Sequence, residues 1–265
     1  MSKPLPLTGY ETILVEVGDD HVATVTLNRP KAYNSFNQQM CDEFSRFWHD
    51  VRLDDDIHAI VLRAAGDKAF CTGVDVKQGI DKPANKWSQS DPGAQLGPKA
   101  NHCWKPVVCA VNGMAAGGAF YWINESDIVI CADDATFFDP HVSYGMVAAL
   151  EPIGLSHRVP LGEALRIALM GLEERVCAST ARSISLVTEV TEPGDLWARA
   201  AEIAAAIARN SPSAVQGTVR AVWESLDHGR TVGLLQGLAY TQIGSPDGIR
   251  SAERSSAPRP TPRVR

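Results

Sequence analysis

Two glycine-bearing turns hold the residues best suited to chemistry. One is Lys68-Ala69-Phe70-Cys71-Thr72-Gly73-Val74-Asp75, and the other is Val111-Asn112-Gly113-Met114-Ala115-Ala116-Gly117-Gly118-Ala119. Glycine lets main chain approach a ligand closely, and a Gly-Gly pair opening a helix leaves unpaired N–H groups aimed outward at the positive end of the dipole. Such amides attract an oxygen carrying negative charge. The second turn lacks GxGxxG spacing, so it is a poor dinucleotide site. Walker, HExxH and GxSxG patterns are also missing from the sequence, which removes several common enzyme classes.

These turns need strands and helices to hold them. Ile13, Val15 and Val17 alternate with Thr12, Leu14 and Glu16, Gly18-Asp19-Asp20 makes a turn, and Ala23, Val25 and Leu27 follow, predicting an antiparallel hairpin. From Asn37 to about Leu53, Met40, Phe44, Phe47, Trp48 and Val51 share one helical stripe, and the apolar run Ala59-Ile60-Val61-Leu62 comes next. The pattern repeats with a strand at 106–111, the second glycine turn, an apolar helix from about Ala116 to Ile123 and a strand from Asp127 to Cys131. Parallel α/β units are implied.

After about Gly162 the pattern loses its strands. One helical stripe carries Leu196, Ala200, Ile203 and Ile207, and another Val215, Val219, Val222 and Leu226. Such stripes suit a neighbouring subunit or the chain's own domain. Ser245 to Arg265, rich in Ser, Pro and Arg, reads as a mobile tail.

The ordered set N-R-P-x-x-x-N (28–34), A-F-C-x-G-x-D (69–75), K-P-V-x-x-A-V-N-G-x-A-x-G-G (105–118) and the strand start Ser126-Asp127-Ile128 resembles the enoyl-CoA hydratase/isomerase (crotonase) superfamily. The resemblance runs from Leu27 to Val190. It implies an α/β fold of repeated ββα units in a spiral core (1–195), a C-terminal helical trimerisation region (196–244) and the tail (245–265). It also implies an acyl-CoA substrate with coenzyme A as carrier, no permanently bound cofactor or metal, and a homotrimer or dimer of trimers. By position, the backbone N–H groups of Val74 and Gly118 correspond to the oxyanion hole that holds the thioester enolate. Arg29, Lys31, Ala69 and Asp75 correspond to CoA-contacting positions, and Arg29 and Lys31 could pair with phosphate oxygens.

The chain departs from that family where hydratases carry two glutamates. Tyr121 occupies the first position and His141 the second. A phenol of pKa about 10 is a poor base at neutral pH, whereas an imidazole of about 6.5 accepts and returns a proton well. His141 is therefore the candidate proton-transfer group, with Asp139 as its orienter and Tyr121 as a hydrogen-bond donor. Asp139 and His141 share a face if the segment stays extended, and need not meet if it turns at Pro140. Glu151 is a second carboxylate candidate or a charge at a helix start, and His102 could face the pocket or close a helix. Without the glutamate pair, thioester or carbon–carbon hydrolysis stands beside hydration and isomerisation, and a silent acyl-CoA-binding protein stands outside enzymology altogether.

The bulk composition agrees with a globular enzyme. The chain has 265 residues, 45% hydrophobic and 21% charged, with a net charge of -6, which does not suit a general nucleic-acid binder. Six cysteines without CxxC pairing read as buried reduced thiols of a cytoplasmic protein. Neither a signal peptide nor an apolar run of about 20 residues is present, so no membrane span is expected.

Overall fold

The computed structural model describes residues 7–254 and 261–264. β1 (Ile13–Val17) and β2 (Val22–Leu27) form the expected antiparallel hairpin, with Ile13 opposite Leu27. α1 (Gln38–Leu53) starts at Asn37, whose side chain accepts from the Met40 amide and satisfies one of the open amides of the first turn. Its stripe of Met40, Phe44, Phe47, Trp48 and Val51 is wholly buried.

Three strand pairs then repeat one geometry. They are β3 (Ala59–Ala64) with β4 (Ala69–Cys71), β5 (Val107–Val111) with β6 (Met114–Ala116), and β7 (Ile128–Ala132) with β8 (Thr136–Phe138). Each pair sends its first strand to a larger sheet and its second to a smaller one. The larger sheet ends in β10 (Glu189–Thr191) and runs β1-β2-β3-β5-β7-β10, parallel from β2 onward. The smaller runs β4-β6-β8-β9, with β9 (Val176–Cys177) antiparallel to β8. Successive units thus wind into a spiral α/β core. The corner between β5 and β6 demands glycine: Gly113 has φ +58°, and a Cβ there would lie 2.4 Å from the Lys68 carbonyl oxygen.

Helices α2 (Phe120–Glu125), α3 (Leu150–Leu155), α4 (Leu161–Met170) and α5 (Ala178–Ser183) connect and flank these strands. α6 (Leu196–Ala208) buries Leu196, Ala200, Ala204 and Ala208 in one cluster with Val61, Val108 and Ile130 of the larger sheet. α7 (Pro212–Glu224) has no buried residue and packs against α8 (Arg230–Arg254).

Several expectations change. Ala116 ends β6, and the helix expected from there begins only at Phe120, because 117–119 form a tight 3-10 turn. Strands continue beyond Gly162 as β9 and β10, each too short for alternation to register. The first C-terminal stripe packs on the chain's own sheet, with Ile203 and Ile207 partly buried beside Leu196 and Ala200. Ser245 lies inside α8, which carries the chain in helical form through Pro246 to Arg254; residues 255–260 and 265 of the expected tail fall outside the described residues. His102 closes no helix, since 96–104 are turns and irregular chain. Five cysteines are buried and free, but Cys177 is exposed. Among the described residues no helix is long and apolar enough to cross a membrane.

Candidate active site

The two glycine turns meet. Val74 makes an isolated parallel bridge with Phe36, in which the Phe36 amide donates to Gly73 O at 2.9 Å and the Asp75 amide to Phe36 O at 2.8 Å. These bonds use the groups flanking Val74 and leave its own N–H outside the bridge. Gly73, at φ +86°, packs on the second turn, where an added Cβ would lie 3.1 Å from the Gly118 nitrogen. Gly118 sits so close to Phe36 that a Cβ would come within 2.4 Å of the ring. It is the second residue of the 3-10 turn that opens α2, ahead of the first intrahelical donors. A close approach without side chains therefore joins the turn after β4, which leads into irregular chain and not the expected helix, to the turn that opens α2.

His141 borders this junction, since a Cβ on Gly117 would lie 3.5 Å from its Cε1. Buried Asp139 accepts from His141 Nδ1 at 2.5 Å and from the His141 amide at 3.1 Å, both on Oδ1. The chain does turn at Pro140, into a short 3-10 helix at His141–Tyr144. The side chains meet nonetheless, because that turn brings the ring back over the carboxylate. The Asp139 hydrogen bond, against burial of the ring, holds the imidazole above its ordinary pKa. Asp139 Oδ2 is buried with no hydrogen-bond partner, so His141 is the one group answering its charge among the described residues.

Glu151 lies across the ring, its Oε1 3.9 Å from His141 Nε2. It belongs to the first turn of α3 but does not cap it; the N-cap is Ala149, with no side-chain bond. Burial pushes the Glu151 carboxyl up, and His141 partly offsets this. Donor atoms of Asp139, His141 and Glu151 lie within 4.8 Å of one another and could in principle hold a cation. The two carboxylates face opposite ring nitrogens, an arrangement better suited to passing a proton than to shared ligation.

Tyr121 donates its hydroxyl hydrogen bond to Asp91 Oδ1 at 2.9 Å. Burial first, then the nearby Glu151 and Asp91 charges, push this phenol up, so it stays protonated. Gly93 presses on the ring, where a Cβ would lie 1.9 Å from Cε1. Lys31 and Ala69 line a cavity of about 230 Å³ with Asn34, Gly66 and Lys68. Arg29 and Asp75 bond each other: the guanidinium donates to Asp75 Oδ2 at 2.8 Å, to Gln78 Oε1 at 2.9 Å and to the Ser35 carbonyl, and it lowers the Asp75 pKa. That pair clasps the first turn to the chain before α1.

A family model described as enoyl-CoA hydratase/isomerase matches residues 18–239. The chain belongs to the enoyl-CoA hydratase/isomerase family. It is 33% identical over 234 residues to (E)-benzylidenesuccinyl-CoA hydratase of Thauera aromatica, covering 87% of this chain and 88% of that protein. It is 32% identical to the short-chain-enoyl-CoA hydratase of Clostridium acetobutylicum, over 76% and 77% of the two chains. Among solved structures, an enoyl-CoA hydratase/isomerase from Mycobacterium paratuberculosis superposes with a TM-score of 0.84 at 34% identity, covering 92% and 96%.

For a member of this family, the unexpected residues are Asp91 and, more fully than sequence indicated, Glu151. Asp91 comes from an irregular segment with no periodicity to place it. Glu151 gave a signal, a carboxylate just before Pro152, but one shared by any helix start.

Proposed function

We propose that this enzyme adds water to, or shifts a proton within, an enoyl-CoA thioester whose enolate oxygen is held by the backbone N–H groups of Val74 and Gly118. The carrying observation is the place of His141. Its ring borders Gly117, is fixed at Nδ1 by Asp139 and faces Glu151 across 3.9 Å. As the thioester gains a β-nucleophile or loses an α-proton, charge collects on its carbonyl oxygen. Two preorganised amides stabilise that charge more in the transition state than in the ground state. His141 Nε2 and Glu151 flank the space where water is activated and a proton returned, replacing the glutamate pair of typical hydratases. Tyr121 remains a protonated wall tied to Asp91. Lys31 and Ala69 offer the small cavity for the nucleotide end of coenzyme A, which acts as substrate carrier.

The hydratase names of two relatives support the water-adding reading. The Asp139–His141 dyad also favours a second one, water directed at the carbonyl with release of free coenzyme A. One assay separates them: enoyl-CoA consumed without thiol release means hydration or isomerisation, and thiol appearing from enoyl-, acyl- or 3-oxoacyl-CoA means hydrolysis. Turnover of every substrate unchanged in His141→Ala removes the proton-transfer role.

The unburied α7 stripe and the exposed Leu234, Leu235 and Leu238 of α8 support assembly through these helices into a trimer or dimer of trimers. Light scattering of the full chain measures that state.

A further inference from the structure

We propose that a cavity of about 540 Å³ beside Tyr121 receives a ring-sized, uncharged acyl group bearing a hydroxyl. This rests on the acyl-CoA reading above. Tyr121, Asn124 and Glu125, at i, i+3 and i+4 on α2, line one wall, and Asn124 Nδ2 donates to the Glu151 carbonyl at 2.9 Å. Tyr121, three residues after Gly118, thus belongs both to the candidate site and to this space. Its volume lies within the range of about 300–1,000 Å³ typical of small-molecule sites.

Bulk and polarity are both written in the walls. Trp104 and Trp223 supply flat ring surface, although Arg220 lies over the Trp104 ring at 5.5 Å and Lys99 over the Trp223 ring at 5.5 Å, so a ligand ring meets what those cations leave open. His102 and His157 also line the cavity, and their rings make no hydrogen bond among the described residues. His102 sits there at φ +55°, a conformation few residues other than glycine adopt. Acidic groups surround the space, and Lys99, the one Lys or Arg lining it among the described residues, is paired with Asp127 Oδ2 at 2.9 Å.

Three ligand classes can be weighed. A long alkyl chain would bury these imidazoles and carboxylates with nothing to bond. A carboxylate-tipped group would meet like charge from Asp91, Glu125 and Asp227. A hydroxyl both donates and accepts, so it can bond an imidazole and a carboxylate at once. Asp91 and Glu125 already accept from protein N–H or O–H groups, which leaves capacity suited to one neutral donor more than to a cation.

The test compares cinnamoyl-, 4-hydroxycinnamoyl-, 4-carboxycinnamoyl- and trans-2-decenoyl-CoA by kcat/KM. The hydroxylated ring is expected to lead each of the others by about 10-fold. His102→Leu and His157→Leu are expected to collapse the ratio between the hydroxylated and plain rings. The same acyl groups are also carried on thioether analogues that cannot react, and their binding is measured by calorimetry. If turnover is absent but binding keeps this order, the cavity reading stands and the proton-transfer reading falls. Equal binding of all four, a lead for decenoyl or carboxylated groups, or a ratio unmoved in both variants overturns the cavity proposal.

Discussion

A single carboxylate oxygen of Asp139 accepts from both the ring Nδ1 and the main-chain amide of His141, at 2.5 and 3.1 Å. The ring is thereby fixed in tautomer and orientation, with Nε2 left to face the reacting groups. His141→Ala is expected to lower kcat by about 10²–10⁴-fold with the fold retained. Single-turnover kinetics together with circular dichroism check this.

The same contact sets a pH dependence. His141 acts as a base only when neutral, and Asp139 holds its pKa above the ordinary value, so the acid limb of kcat/KM lies above about 6.5. Asp139→Asn removes the charge that raises it, and the limb moves to lower pH. A raised imidazole pKa also stabilises the fold fully below the unfolded value and loses that contribution as pH rises through the folded one. A limb that stays in place in Asp139→Asn assigns it to another group.

Glu151 carries a raised pKa for a different reason, burial. Its folded form holds a proton more tightly than its unfolded form, so this site weakens the fold as pH rises through the carboxylate's folded pKa. Glu151→Gln removes that penalty. The melting temperature of the variant relative to the parent is expected to climb between acid and neutral pH, while hydration activity falls. A difference flat with pH would mean that Glu151 is already solvated or paired.

The glycine junction predicts a contrast between backbone and side chain. Gly118→Ala drives a Cβ into Phe36, and Gly73→Ala forces a residue with a Cβ to φ +86° against the Gly118 nitrogen. Each displaces an amide of the proposed oxyanion hole, and loss of one such donor costs about 10²–10³ in kcat. Val74→Ala keeps the amide and should keep most activity, since that residue is 40% exposed. Equal damage from Val74→Ala in kinetic assays would point to the side chain.

Tyr121→Phe deletes the bond to Asp91 and leaves the ring against Gly93. The expected outcome is a higher KM with kcat within a few-fold, because the phenol holds a wall and transfers no proton. Lys31→Ala should likewise raise KM for CoA esters, and less so at high salt. Arg29→Met acts on stability, by leaving Asp75, near 10% side-chain exposure, with the Lys77 and Gln78 amides but no cation beside it. Thermal melts and salt-dependent KM values distinguish these cases.

The hairpin, α1, the parallel strands β3, β5 and β7, and the two glycine turns can all be read from the order of residues. These are local facts: period-2 and period-3.6 patterns and missing side chains are written in neighbouring residues. That order also supplied His141 and Asp139 as types, but not their meeting, which depended on how the chain leaves Pro140. Tertiary structure alone decided that Glu151 faces the ring from α3, that Asp91 binds Tyr121 over 30 positions, and that Arg29 is tied to Asp75. It also laid the α6 stripe on the larger sheet and let α8 run through Ser245. Contacts between distant segments leave no spacing rule to read, because each is fixed by how whole elements pack and not by the order of the residues that make it.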